Sequence, residues 1–295
     1  MRSIANWRLI ISLILYSCSV YGQPLSIVDG NNITKMQGDE LFAEWSYDGK
    51  NLLFQSVIND ESRIYVYRLD DDNAVCLSKL KYNFRNPVWH PDGDKIVFDS
   101  DKDGIDYLYK LDLNTLEVRP LFHRNIKSRN ASFSTSSRQV YFNGYDELTN
   151  RWEIYSYDFV YNNLNRLTEY RFGSCNPDIY NNGKQIVYCK INPADNKKNL
   201  EVINWYGEPK IEFDKFPAYH PSWGPSGFKI FFISTMDNEI SELYSIWKDG
   251  SHLERHTHDS IWVANPVISP DGTKMAMSVL TDEDWDIFIF NFAEK

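Results

Sequence analysis

The chain has little of what most enzyme classes require. Its 295 residues include six histidines and four cysteines, and no Gly-x-Ser-x-Gly, no phosphate-binding glycine loop and no His-Glu-x-x-His. Serine-nucleophile, nucleotide and zinc-protease chemistries therefore lack their residues. Positive charge is also short: 31 Lys and Arg against 41 Asp and Glu leave a net charge of −10, which argues against nucleic acid as a partner. Apolar runs are short as well. The run from Leu9 to Tyr16 follows Arg2 and Arg8 and leads into small residues up to Gly22. It cannot span a bilayer, and it reads as a secretory signal peptide over residues 1–22, cleaved before Gln23. Lipidation at Cys18 is the alternative for the same segment. Loss of the leader takes the net charge to −12 and leaves no transmembrane segment.

Three cysteines then remain, Cys76, Cys175 and Cys189, in a compartment expected to be oxidising. A three-residue hairpin at Asn181-Asn182-Gly183 puts Cys175 and Cys189 directly opposite each other. A four-residue loop turns them to opposite faces.

What the sequence does have is a repeat. The anchors Trp45, Trp89, Phe133, Ile179, Trp223 and Ile268 are spaced by 44, 44, 46, 44 and 45 residues. A second beat, Ile64, Leu108, Ile154, Leu200, Leu243 and Ile287, follows each anchor by 19 to 21 residues. Alternating β-branched and aromatic residues at this period predict an all-β, six-bladed β-propeller with four strands, A to D, in each blade. Residues 23–295 are expected to form one domain and a monomer. The last copy stops after Asp286-Ile287-Phe288-Ile289-Phe290 without an outer strand. Thr34 stands 11 residues before Trp45, as the outer-strand pairs of other copies stand before their anchors. The segment from Asn31 to Met36 is thus expected to complete the final blade. The Asp-Gly turns after the anchors are backbone chemistry, not catalytic acids.

The longer D–A and B–C loops share one face, the expected working face. It carries Arg85, Arg124, Arg129 and Arg171, with Trp262 among the interleaved aromatics. Clustered guanidinium forks beside aromatic rings suit carboxylates and stacking ligands. Three residues before each anchor, at the channel lip, stand Phe42, Asn86, Asn130, Asn176, His220 and Asn265. This ring would hold a ligand, an ion or water, or would cap the strand starts. Metal candidates are sparse. Asp99, Asp101 and Asp103 resemble the start of a calcium loop whose twelfth position is Lys110. His220 and His258 are the candidate ligands for another divalent ion. No cofactor is otherwise expected.

The pattern Pro-x-Trp-x-Pro-Asp-Gly-x-Lys-Ile-x-Phe at Pro87 to Phe98, then Asp106-Tyr107-Leu108-Tyr109 and Asp112-Leu113, resembles the propeller repeat of the TolB family. The resemblance covers about residues 30 to 292. It implies a propeller in the bacterial envelope, periplasmic or secreted, that docks partners or ligands on its loop face. The α/β domain that precedes the TolB propeller is not expected here. The repeat is also similar to the propellers of prolyl-peptidase hydrolases and of oligogalacturonide lyases. The leading expectation is a non-catalytic module that binds an envelope protein or an anionic glycan. The alternative is a metal-dependent lyase for uronate-containing sugars, with His220 and His258 on the metal and Arg171 on the substrate carboxylate.

Overall fold

Runs of β-branched and aromatic residues, nearly continuous and buried in the second strand of each blade as in Lys95–Ser100 and Lys229–Ser234, are punctuated by turns, so each repeat is driven into antiparallel strands. The computed structural model describes residues 25–26, 29–78, 82–122, 126–135, 138–170, 173–180, 182–192, 194–195, 197–258, 261–282 and 284–293. The expected leader and Cys18 lie outside these. Six four-stranded antiparallel sheets are arranged as the blades of a propeller. Their inner A strands are Asp39–Trp45, Arg85–Trp89, Ser128–Phe133, Ser174–Ile179, Tyr219–Trp223 and Val263–Ile268. Each A strand packs against those of its two neighbours, the sixth against the first. No helix among the described residues is long and apolar enough to cross a membrane.

All six anchors are buried between blades. The tryptophans also stitch blades together. The indole N–H of Trp89 donates to Glu44 O (3.3 Å), that of Trp223 to Asp178 O (3.1 Å) and that of Trp45 to Val267 O (3.3 Å). The last of these bonds crosses the closure.

The outer strand of the sixth blade comes from the start of the chain. Asn31 and Asn32 pair with Ile289 and Phe288, and Ile33 N–H donates to Ile287 O. Thr34 then takes a seat that recurs around the ring. Its hydroxyl accepts Ile287 N–H (2.9 Å) and donates to Asp286 (3.0 Å), as Thr168 accepts Ile154 N–H (2.9 Å) and donates to Glu153 (2.6 Å). The 11-residue offset seen in the sequence marks this seat. A sheet left one strand short would present an unpaired edge, and the N-terminal strand removes it.

Where the A–B turns differ from simple expectation, one residue explains it. The fourth blade closes on a four-residue loop, with Ile179 opposite Ile186. That loop alone would turn Cys175 and Cys189 apart. A β-bulge between Cys175 and Asp178 shifts the register by one, so Cys175 faces Cys189 after all. The same bulge occurs in all six blades. At its centre is the lip residue, in the left-handed region at φ between 47° and 57°. Asparagine tolerates that region better than most residues. A proline follows in four blades, and its missing N–H is no loss where the ladder is already interrupted.

Candidate binding site at the mouth of the channel

The residues three before and one before each anchor both line the channel. They form two layers. The upper is Phe42, Asn86, Asn130, Asn176, His220 and Asn265; the lower is Glu44, Val88, Ser132, Asp178, Ser222 and Val267. Together they line a cavity of about 230 Å³. Pockets that enclose drug-sized ligands run to roughly 300–1,000 Å³, so this one suits an inserted side chain or a small molecule.

The lip is anchored from behind. Asn86 N–H donates to Gln55 Oε1 (3.0 Å), Asn130 N–H to Asp99 Oδ1 (3.2 Å) and Asn176 N–H to Asn143 Oδ1 (3.0 Å), each acceptor lying on the preceding blade. In the fourth blade the equivalent residue, Cys189, instead donates its thiol to Ala218 O (3.6 Å), two residues before His220. The backbone is thus fixed while most side chains stay unengaged. Asn86 Nδ2 donates to Asp99 Oδ1 (2.9 Å), but among the described residues the side-chain amides of Asn130, Asn176 and Asn265 make no hydrogen bond. His220 reaches toward Phe42, edge-on at 6.1 Å, and its Nδ1 is buried without a partner. Burial and Lys198 depress the His220 pKa to about 4, so the imidazole is neutral. The mouth therefore has an aromatic flank on blades 5 and 1 and amides around the rest.

The lower layer was not singled out in the sequence, although Val88 and its equivalents keep as fixed a distance from the anchors as Asn86 does. Two carboxyls face the channel there from opposite blades. Burial, reinforced by Asp178, pushes Glu44 up to about 8; burial pushes Asp178 up to about 6 although Trp223 N–H (2.7 Å) and Ser132 Oγ (3.2 Å) donate to it. The channel floor thus carries less negative charge at neutral pH than its composition suggests.

The expected basic face is only partly brought together. Arg124 and Arg171 lie outside the described residues. Arg85 is matched by acids of its own blade, Asp99 (3.7 Å), Asp101 (3.5 Å) and Asp106. The Arg129 guanidinium lies over the Trp152 ring, 4.0 Å from its centre, with its Nε buried and unpartnered among the described residues. Trp262 is exposed, but on the sixth blade, across the ring from Arg129 on the third. The metal candidates also diverge. Asp99 turns inward to Asn86, Asp101 accepts from Asn83, and Asp103 accepts the Tyr109 hydroxyl. His220 sits in the channel wall and His258 on an exposed loop. Among the described residues no three His, Cys, Asp or Glu side chains converge in a metal-binding group.

Solved structures of similar fold include TolB from Acinetobacter baumannii, at 19% identity and TM-score 0.65 over 77% of this chain and 56% of that one. The chain thus spans little more than half the length of that protein. A TolB structure from Agrobacterium tumefaciens aligns at 19% identity and TM-score 0.68 over 89% of this chain and 93% of that one. An oligogalacturonate lyase in complex with manganese aligns at 13% identity and TM-score 0.62, over 92% and 96%. At such identities the likeness concerns the fold. No curated protein matches the chain. Residues 13–225, well over half of the sequence, match the TolB beta propeller domain, and the chain belongs to that family.

Proposed function

We propose that this propeller is an exported, non-catalytic binding module of the cell envelope that receives an extended segment of a partner protein at its channel lip. The observation that carries the reading is the ring of fixed backbone and unengaged amides at Asn130, Asn176 and Asn265. Amide groups complement the N–H and C=O of a peptide in either direction, and the Phe42–His220 flank offers apolar surface to an inserted side chain. An anionic glycan is less well served by the described residues, since Arg85 already faces three carboxylates. Family membership supports a propeller that acts through its loop face.

The reading is tested by capture on the immobilised protein. Envelope extract and acidic polysaccharides are passed over the parent and over a variant with Asn130, Asn176 and Asn265 all changed to Ala. A protein retained by the parent and lost by the variant is the expected result. Equal retention, or capture of polysaccharide alone, would overturn it.

A further inference from the structure

We propose that Cys175 and Cys189 form a redox-active dithiol, which a low-molecular-weight disulfide oxidises to an intrachain disulfide directly behind the channel lip. The geometry is already in place. The two residues stand directly opposite each other on adjacent antiparallel strands, in register across the ladder. Opposed residues in such a ladder have Cα atoms about 4.5 or 5.5 Å apart. Both spacings fall within the roughly 4.4–6.8 Å range of disulfides, so closing the bond requires no strand to move. The third described cysteine, Cys76, sits on the first blade, across the ring, with its thiol donating to Ser78 O. It cannot reach either member of the pair.

The two thiols are unequal. Cys175 keeps 8% of its surface exposed and Cys189 none. The Cys189 side chain beside it, with Lys198 and Arg129 nearby, holds the Cys175 pKa below the usual thiol range; burial drives that of Cys189 up. Cys175 is therefore the attacking thiolate. It attacks one sulfur of the small disulfide, forming a mixed disulfide and releasing one thiolate. Cys189 then gives up its proton and attacks Cys175 Sγ, forming the protein disulfide and releasing the second thiolate. Both protein thiols are oxidised and the small disulfide is reduced to two thiols, which take up the two protons.

The position gives the bond a consequence. Cys175 immediately precedes Asn176, and the Cys189 thiol donates to Ala218 O (3.6 Å), two residues before His220. The equivalent cross-strand pair is Arg85 with Asp99 in the second blade and Arg129 with Asn143 in the third. In each case the strand-B member holds the lip residue of the next blade. Oxidation removes the S–H donor to Ala218 and ties down the residue beside Asn176, so the redox state acts on two adjoining lip positions. None of this depends on what the lip binds.

The test is peptide mapping of the purified protein after reduction, exposure to oxidised glutathione and trapping of free thiols by alkylation under denaturing conditions. A linked peptide joining Cys175 to Cys189, with Cys76 alkylated, is expected. Cys189→Ser should stall as a glutathione adduct on Cys175, and Cys76→Ser should leave the linkage intact. Full alkylation of both residues, or a bond from either to Cys76, would overturn the proposal. On oxidation, amide exchange should slow over 174–179, which the bond ties down, and quicken over 218–223, which loses the donor to Ala218 O; identical exchange in the two forms would refute the link to the lip.

Discussion

Replacing Thr34 by valine tests how the ring is closed. The substitution keeps the shape of the side chain and removes only its hydroxyl. In the folded protein that hydroxyl, 8% exposed as a residue, accepts Ile287 N–H and donates to the Asp286 carboxylate. A hydrogen bond to a charged group contributes about 1.5–3 kcal/mol, and an orphaned buried N–H costs about 1–3 kcal/mol. Asp286 keeps its bond from Asn32 (2.9 Å), which limits the damage. A loss of about 3 kcal/mol is expected. For a ring of this size it lowers the Tm by roughly 5 °C, read by calorimetry. Thr168→Val supplies the control, because Thr168 makes the same two bonds inside a blade that is continuous in sequence. If the N-terminal strand is part of the ring, the two losses agree within about 1 kcal/mol. A silent Thr34→Val beside a damaging Thr168→Val would show that the strand is dispensable and that the sixth blade closes by other means.

Other consequences follow from single residues. Burial raises the Asp99 pKa from 3.8 to about 7, so the folded chain keeps a proton that the unfolded chain releases near pH 4. Stability from this group is fully present below about pH 4 and is lost as the pH rises to about 7. Asp99→Asn removes the slope. The difference between parent and variant in urea-unfolding free energy should change by roughly 3–4 kcal/mol over that window, and parallel curves would refute the assignment. Arg85→Ala strips Asp99, Asp101 and Asp106 of their shared cation and should cost about 2 kcal/mol in the same assay, with no change counting against the ion-pair network. Among the turn glycines, Gly227 has φ +68° and a Cβ there would lie 2.3 Å from the Tyr180 ring, whereas Gly93, at φ +79°, faces open space. Gly93→Ala should cost about 1 kcal/mol and Gly227→Ala about 2–4 kcal/mol; equal costs would mean that Tyr180 swings aside freely.

The ring was legible because it is written as a period. Trp45, Trp89 and Trp223 recur where an indole must reach a carbonyl of the neighbouring blade, and Thr34 keeps the offset of Thr168. The lip was legible for the same reason, as a fixed distance from the anchors. The bulge was not. Asparagine before proline fits an ordinary strand start as readily as a left-handed bulge, and only the ladder register shows which one is present. That single residue reversed the consequence of the four-residue turn for Cys175 and Cys189. Charge was legible at Arg85, but its pairing was not. Asp99, Asp101 and Asp106 are 14 to 21 residues away, and the second-strand register and the B–C loop bring them in. Glu44 and Asp178 stand on opposite blades, and nothing in their local sequence announces that they share a channel.

Where a partner touches the ring is the central question, and photo-crosslinking answers it most directly. A benzophenone amino acid is placed at Asn265 on the lip or at Ser226 on the opposite face, and the protein is irradiated in envelope extract. Covalent capture of one protein from Asn265 and not from Ser226, lost when Asn130 and Asn176 are also changed to Ala, is the predicted result. Capture of the same protein from Ser226, or from both positions alike, would contradict a binding site at the mouth of the channel.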